Sequence, residues 1–452
     1  MTVHTPTDPR EAIRARVGEL LEQEHWSRER LLAYQQQRLD ALLRHAVERS
    51  PYYRETLGVD AADRPLASLP TLSKELLMEQ FDRVVTDPLL RRRDLEAFVR
   101  NALPDDLYQD RYRVFSTSGA TGVPGLFVYA PDEFAEWIAL GLSRLVRVGV
   151  GPETRLLAIG APSDAHITKQ LFTAFSAGRH GVPRVNVTTP LPELLDALNE
   201  YQPQALIAYA SVLGMLADEQ LAGRLSIDPR VTISTSEVLT DAIHEKVTRA
   251  WSAAPVNVYA ATEAPGIAVG SLDSDDMHVW EESLVLEIVD DESRPVAPGE
   301  PGAKVLLTNL VNRMQPLIRY ELSDSAVIAH GEDPSGRPYM RLARVDGRSD
   351  DVLRLPGRSG GTVQVHPYRL HAPFTRLHDV RQFQVVHDSD GLLVRVVPHE
   401  EAGRALPEQV HAAIAAEMAD AGADVPVRIE LVREIERDGG PAGKVKLVRS
   451  DI

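Results

Sequence analysis

The sequence contains no cysteine, which excludes disulfides, thiolate metal sites and a cysteine nucleophile. Lysine is scarce: six residues (Lys74, Lys169, Lys246, Lys304, Lys444 and Lys446) stand against 43 arginines. No apolar run approaches the roughly 18 residues that a membrane-spanning helix requires, so no membrane partner is expected. Basic charge is outweighed, 49 residues against 66 acids, giving a formal net charge of −17. That balance argues against nucleic acid or an anionic membrane as the main partner. The opening segment, Met1 to Arg16, is polar, carries Asp8 and Glu11, and does not read as a secretory signal. A cytoplasmic location is expected. His-Glu-x-x-His, Gly-x-Ser-x-Gly and Gly-x-Gly-x-x-Gly are all missing. The 14 histidines are scattered, and His366, His371, His378 and His387 share a segment without metal-ligand spacing.

What is present is a chain of 452 residues, 43% apolar, long enough to divide into two or more domains. Its centre is Ser116-Thr117-Ser118-Gly119-Ala120-Thr121-Gly122-Val123-Pro124-Gly125. Glycines let a backbone approach a ligand closely, and successive N–H groups can form an anion-binding nest to which hydroxyls add donors. The stretch lacks Walker A spacing. By itself it is compatible with an ordinary solvated loop.

Residues 9 to 50 read as helix, ended by Pro51, and Ser73 reads as the N-cap of a helix over 74–81. From 126 to 259 apolar runs alternate with helical patterns. Strands are expected at 156–160, 185–187, 205–209, 231–235 and 256–259, with helices at 131–148, 167–178, 191–200, 211–223 and 240–251. That alternation predicts an α/β fold with a mostly parallel sheet. Beyond about 265 the strands are short, separated by turns and without intervening helices, which predicts a β-rich subdomain. A further change at 348–351 leaves a small α+β region. The expected division is 1–347, a hinge at 348–351, and 352–452.

Motifs in this order resemble the adenylate-forming superfamily, and most its phenylacetate–CoA ligase branch. Ser116 to Gly125 resembles the phosphate loop; Ser236-Glu237-Val238-Leu239-Thr240 a branch motif at a strand end; Tyr259-Ala260-Ala261-Thr262-Glu263 the Tyr-x-x-Thr-Glu motif. Met277-His278-Val279-Trp280-Glu281 is similar to a branch segment, and Pro316-Leu317-Ile318-Arg319-Tyr320 with Asp324 to the segment holding the ribose aspartate. Gly347 to Asp351 resembles the hinge, and Gly443-Lys444 the catalytic-lysine loop. Ser50-Pro51-Tyr52-Tyr53-Arg54 and Leu69-Pro70-Thr71-Leu72-Ser73-Lys74 resemble the branch's N-terminal pattern.

The resemblance implies a large N-terminal adenylate-forming domain and a small, mobile C-terminal domain. It also implies ATP, Mg²⁺ and CoA as cofactors and an aryl acid as substrate. In such a reaction charge develops on phosphate oxygens, so positioned donors and cations do most of the catalysis. Ser116, Thr117, Ser118, Gly119, Thr121 and Gly122 would hold phosphates, with Glu237, Tyr259, Thr262, Asp324 and Arg319 around the rest of the nucleotide. Glu263 would bind Mg²⁺, Lys444 would act catalytically, and Asp350 would be the hinge. Arg319 has a second reading, as a partner for an acid. Residues at or just after strand ends, Tyr129, Phe134, Tyr209, Ala210, Ser236 and Ala261, would line the acid pocket, and plain core packing is the other reading of each.

Departures from the family pattern bear on the acceptor. Ala120 replaces a hydroxyl and Gly125 a larger residue, the loop over 356–361 is altered, and His371 stands where Glu is common. Arg354, Arg358 and Arg369 are the candidates for steering CoA. An amine, a carrier-protein thiol, nitrite activation for diazotisation of an aryl amine, or an inactive nucleotide-binding homologue remain alternatives. Homodimerisation is left open.

Overall fold

The computed structural model describes residues 8–101, 106–117, 125–161, 166–177, 181–348, 353–358, 360–365, 369–370, 373–374, 377, 379–399, 402–437 and 445–452. Three helices open the chain: α1 (Pro9–Gln23), α2 (Arg28–Arg49) and α3 (Pro51–Leu57). The single helix expected over 9–50 is therefore broken. The chain turns at residues 24–26, and the Ser27 hydroxyl restarts it by accepting from Arg30 N at 3.2 Å. Pro51 both stops α2 and begins α3, where its missing N–H costs nothing.

Short helices α4 (Lys74–Glu79), α5 (Phe81–Val84) and α6 (Arg92–Asn101) lead to an antiparallel hairpin, β1 (Arg113–Ser116) with β2 (Leu126–Tyr129). Next come α7 (Pro131–Arg147), β3 (Leu156–Ile159), α8 (Ile167–Phe175), α9 (Leu191–Tyr201) and β4 (Ala205–Tyr209). They are followed by α10 (Ala210–Leu221), β5 (Val231–Thr235), α11 (Asp241–Trp251) and β6 (Val256–Ala261). Strands β3 to β6 pair in parallel. Every residue of β4 and β5 is buried, as expected of parallel strands covered on both faces. The strand expected at 185–187 does not form. Val185 and Val187 are buried, but Val187 N bonds Gly160 O (3.1 Å) without a ladder.

After β6 the direction reverses. Thr262-Glu263 form a tight turn into β7 (Ala264–Ser271), with Ala261 opposite Ala264, and β8 (Ser274–Val279) continues the meander. Strands β9 (Leu284–Val289), β10 (Lys304–Asn309) and β11 (Tyr320–Leu322) form a separate three-stranded sheet. Strands β12 (Asp324–Ile328) and β13 (Arg341–Arg348) complete the main sheet, whose order is β12-β13-β8-β7-β6-β5-β4-β3. One half of this sheet is parallel and the other antiparallel.

Beyond β13 lie β14 (Leu353–Pro356), β15 (Thr362–Val365), β16 (Val380–Asp388), β17 (Gly391–Pro398), α12 (Leu406–Asp420), β18 (Val427–Leu431) and β19 (Val448–Ser450). Sheet β18-β17-β16-β19 and α12 enclose a core running from Leu353 to Val448, distinct from the two cores built by residues 20–342. Among the described residues no helix is long and apolar enough to cross a membrane.

Candidate active site

A cleft of about 910 Å³ opens beyond the carboxyl ends of β5 and β6, where ligands of open α/β sheets gather. Its walls carry Thr117, Ser236, Glu237, Tyr259, Ala261, Thr262, Glu263 and Asp324, so one site collects four segments far apart in sequence. Buried tyrosine hydroxyls hold these segments. Tyr259 donates to Asp324 Oδ2 (2.8 Å), Tyr320 to Glu263 Oε1 (3.3 Å) and Tyr129 to the Thr262 carbonyl (2.6 Å). Asn309 Nδ2 adds a bond to the Glu263 carbonyl at 2.8 Å. Burial pushes the Tyr129 hydroxyl far above its ordinary pKa, so it stays a donor. Glu263 therefore sits at the tip of a hairpin, not at a helix start, with its backbone and side chain both fixed.

The N-terminal pattern is explained by contact. Tyr53 donates to the Pro316 carbonyl (2.8 Å). Leu72 pairs with the strand edge, its N donating to Arg319 O (3.1 Å) and its O accepting from Glu321 N (3.0 Å). Arg319 is the one nucleotide-site expectation that its own contacts overturn. It is 4% exposed, binds Glu287 through Nε (3.0 Å) and a second nitrogen (3.1 Å), and donates to Ala67 O and Leu69 O. Its φ of +48° turns the chain just before Tyr320. The guanidinium is spent on neutralising the half-buried Glu287 and tying down 67–69.

Ser236 also has positive φ, +69°, at the end of β5. The residue after it, Glu237, accepts from Ser211 N (2.9 Å) and from Val445 N (2.7 Å). A carboxylate of the large domain thus grips the chain immediately after Lys444. Lys444 itself, Asp350, Ser118, Gly119, Thr121, Gly122 and His371 lie outside the described residues. At the base of the Gly-rich stretch, Thr117 Oγ1 accepts from Gly125 N at 2.8 Å, and Ser116 Oγ donates to Thr117 O at 3.3 Å. A Cβ at Gly125 would stand 2.8 Å from the Phe127 ring, which accounts for glycine there. Lys74, Lys304 and Lys446 line the same cleft, although lysine is rare in this chain. Among the described lining residues Arg144 is the only arginine.

The other end of the cleft is apolar. Trp137, Gly141, Leu145 and Val148 of α7 face it, with Leu171, Phe172 and Phe175 of α8 and Trp280. Positions 137, 141, 145 and 148 share one helical face. Trp137 and Trp280 lie 6.3 Å apart, tilted by 32°. Gly141 has a packing reason: a Cβ there would collide with the Phe175 ring. Beneath this lobe Arg144 pairs with Glu24 (2.7 Å) and Glu282, and His278 bonds Asp333 (2.6 Å). Of the segment Met277 to Glu281, Trp280 lines the cleft. Of the residues expected to hold the acid, Ser236 and Ala261 line the cleft. Tyr129, Phe134, Tyr209 and Ala210 do not: they are 0 to 4% exposed and packed into the core, because strand ends here are themselves covered. The lobe residues on α7 and α8 were missed. Their signal was a helix face unusually rich in tryptophan and glycine, which looks like ordinary core packing.

The arginines expected to steer CoA are partly committed as well. Arg358 Nε donates to Ala423 O (3.2 Å), and Arg369 pairs with Asp420 (2.7 Å) and Glu417 (3.5 Å). Among the described residues, no group of three or more His, Asp or Glu gathers as a metal site.

The sequence profile described as "AMP-binding enzyme" matches residues 44–308, more than half of the chain. The phenylacetate–coenzyme A ligase of Thermus thermophilus is 26% identical over 386 residues, covering 81% of this chain and 80% of that protein. Among solved structures, a 2-hydroxyisobutyryl-CoA ligase in its postadenylation state superposes with a TM-score of 0.73 at 21% identity, covering 95% of this chain and 91% of that one. The same ligase in its thioesterification state gives 0.59 at 22% identity over the same shares.

Proposed function

Since the chain belongs to the AMP-binding enzyme family, we propose that it activates an aryl carboxylic acid with ATP and passes the acyl group to CoA. One observation carries this reading: a single cleft joins the fixed polar motifs to an apolar lining that includes Trp137, Phe172, Phe175 and Trp280, residue types that suit a flat ring. The acid's carboxylate oxygen attacks the α-phosphorus of ATP, pyrophosphate departs, and an acyl-adenylate forms. The CoA thiol then attacks the acyl carbon, losing its proton, and AMP leaves.

Asp324, oriented by Tyr259, accepts hydrogen bonds from the ribose hydroxyls. Ser116, Thr117, Ser118, Gly119, Thr121 and Gly122 cradle phosphates, with Lys74 and Lys304 supplying positive charge at the cleft wall. Glu237 acts from the side, by holding the loop that carries Lys444. Lys444 contacts the oxygens that gain charge in the transition state. Glu263 fits a Mg²⁺ ion: it lines the cleft and is fixed by Tyr320 and Asn309. A lone carboxylate suits a cation that takes most of its ligands from phosphates and water. Bound there, Mg²⁺ would neutralise phosphate charge. Asp350 is the hinge between 1–347 and 352–452.

The test is product identification. The protein, ATP, Mg²⁺ and a panel of aryl acids are incubated with CoA, with simple amines and with nitrite in separate reactions, and products are weighed by mass spectrometry. Pyrophosphate release and a thioester are expected. Rapid product formation with a nitrogen nucleophile and no thioester would replace CoA as acceptor, and no pyrophosphate with any acid would remove the enzyme reading.

A further inference from the structure

The small domain meets the large one through an unusual charge arrangement at the end of α10. Asp218 and Glu219 are buried there, 7% and 2% exposed. Each has a partner within the large domain and another on the small one. Glu219 binds Arg224 (2.5 Å) in its own domain and Arg381 of β16 (2.9 Å) across the boundary. Asp218 binds Lys246 of α11 (3.0 Å), and across the boundary faces Arg381 at 3.8 Å and His399 at 3.6 Å. Lys246 Nζ also reaches the Arg381 carbonyl at 3.4 Å.

The duplication of partners matters energetically. Breaking a buried ion pair is costly when it strands a charge. Here, if the small domain lifts away, Glu219 keeps Arg224 and Asp218 keeps Lys246. No acid is stranded, so the contact can be made and broken repeatedly. On the cleft side the same docking lets Glu237 accept from Val445 N.

We infer that Asp218, Glu219 and Arg381 are positioning residues for acid activation. They dock the small domain so that its chain at Val445 and Lys446, gripped at Val445 by Glu237, lies in the cleft wall. The inference rests on the two-step reaction proposed above. It agrees with the overall shape, which lies nearer to the postadenylation than to the thioesterification arrangement of the 2-hydroxyisobutyryl-CoA ligase.

The experiment compares Arg381→Ala and Arg381→Lys with the unsubstituted protein. ATP–pyrophosphate exchange reads the first step, and thioester formation from presynthesised acyl-adenylate reads the second. Because the chain has no cysteine, spin labels at Leu221→Cys and Leu431→Cys, both exposed, report the distance between domains without background labelling. Arg381→Ala should lower exchange roughly 5- to 10-fold, leave the second step unchanged or faster, and shift label distances. Arg381→Lys should recover part of the exchange. Equal loss in both steps, or unchanged distances in Arg381→Ala, overturns the inference. If the unsubstituted protein shows no exchange with any acid, the proposed function fails. The distance measurement still decides the docking.

Discussion

The two ends of the cleft are built on opposite physical principles. At the polar end, which we propose takes the nucleotide, Asp324, Glu263 and Thr262 are each fixed by a directed hydrogen bond from a tyrosine or asparagine. The apolar end, proposed to take the acid, is fixed by shape: two tryptophans, two phenylalanines and a glycine that makes room for one of them. Hydrogen bonds position atoms to a fraction of an ångström and tolerate little change of residue type. Apolar packing tolerates substitution as long as volume is kept. The same protein can therefore keep one chemistry while its choice of acid drifts.

The largest expected effect strikes the chemistry itself. Lys444→Ala should reduce adenylation by roughly 10²-fold or more, about 2.7–4 kcal/mol of transition-state stabilisation, while Lys446→Ala does much less. Pyrophosphate exchange at saturating acid and ATP measures both, and equal losses would mean the wrong lysine. Next comes the acid end alone. Gly141→Ala pushes Phe175 into the lobe, and overpacking of this kind costs about 1–3 kcal/mol. The KM for the acid should rise by tenfold or so with the KM for ATP unchanged. A shared rise would dissolve the distinction between the two ends.

Tyr259→Phe is the reciprocal probe. It removes the hydroxyl bound to Asp324, at about 0.5–1.5 kcal/mol for one hydrogen bond. It should weaken ATP several-fold and leave the acid's KM in place. An effect on the acid instead would put Asp324 outside the nucleotide end.

The smallest effect is on stability and comes from beneath the lobe. His278 is held below its usual pKa, chiefly by burial and by Arg147, against the pull of Asp333. Burial lowers His45, His387 and His399 too. A depressed histidine favours the neutral form in the folded state. Its contribution is present above the unfolded value near 6.5 and is lost as pH falls below it. Melting temperature should therefore drop by a few degrees between about pH 7.5 and about pH 5.5. An unchanged midpoint in calorimetry would show these histidines to be uncoupled from folding.

How much was legible follows from the same contrast. The motif order that marks the family and the parallel strands β3 to β6 could both be read from the sequence. Directed chemistry demands particular residue types at particular spacings, and buried parallel strands leave apolar runs. The break in the first helix was partly hidden, since Ser27 is an ordinary cap among many serines. The strand expected at 185–187 failed because buried apolar residues do not choose between a ladder and a loop.

By itself the sequence determined the family and the α/β alternation, because those depend on local pattern and on the order of residue types along the chain. Only the tertiary structure decided the rest. It turned Arg319 from a nucleotide ligand into the partner of Glu287, and placed Tyr129, Phe134 and Tyr209 in the core. It brought Trp137, Phe175 and Trp280 together in the wall of one cleft. It showed Glu237 holding a chain segment 208 positions away. A side chain's environment is set by what folds against it, and no spacing within one stretch records what a distant stretch will supply.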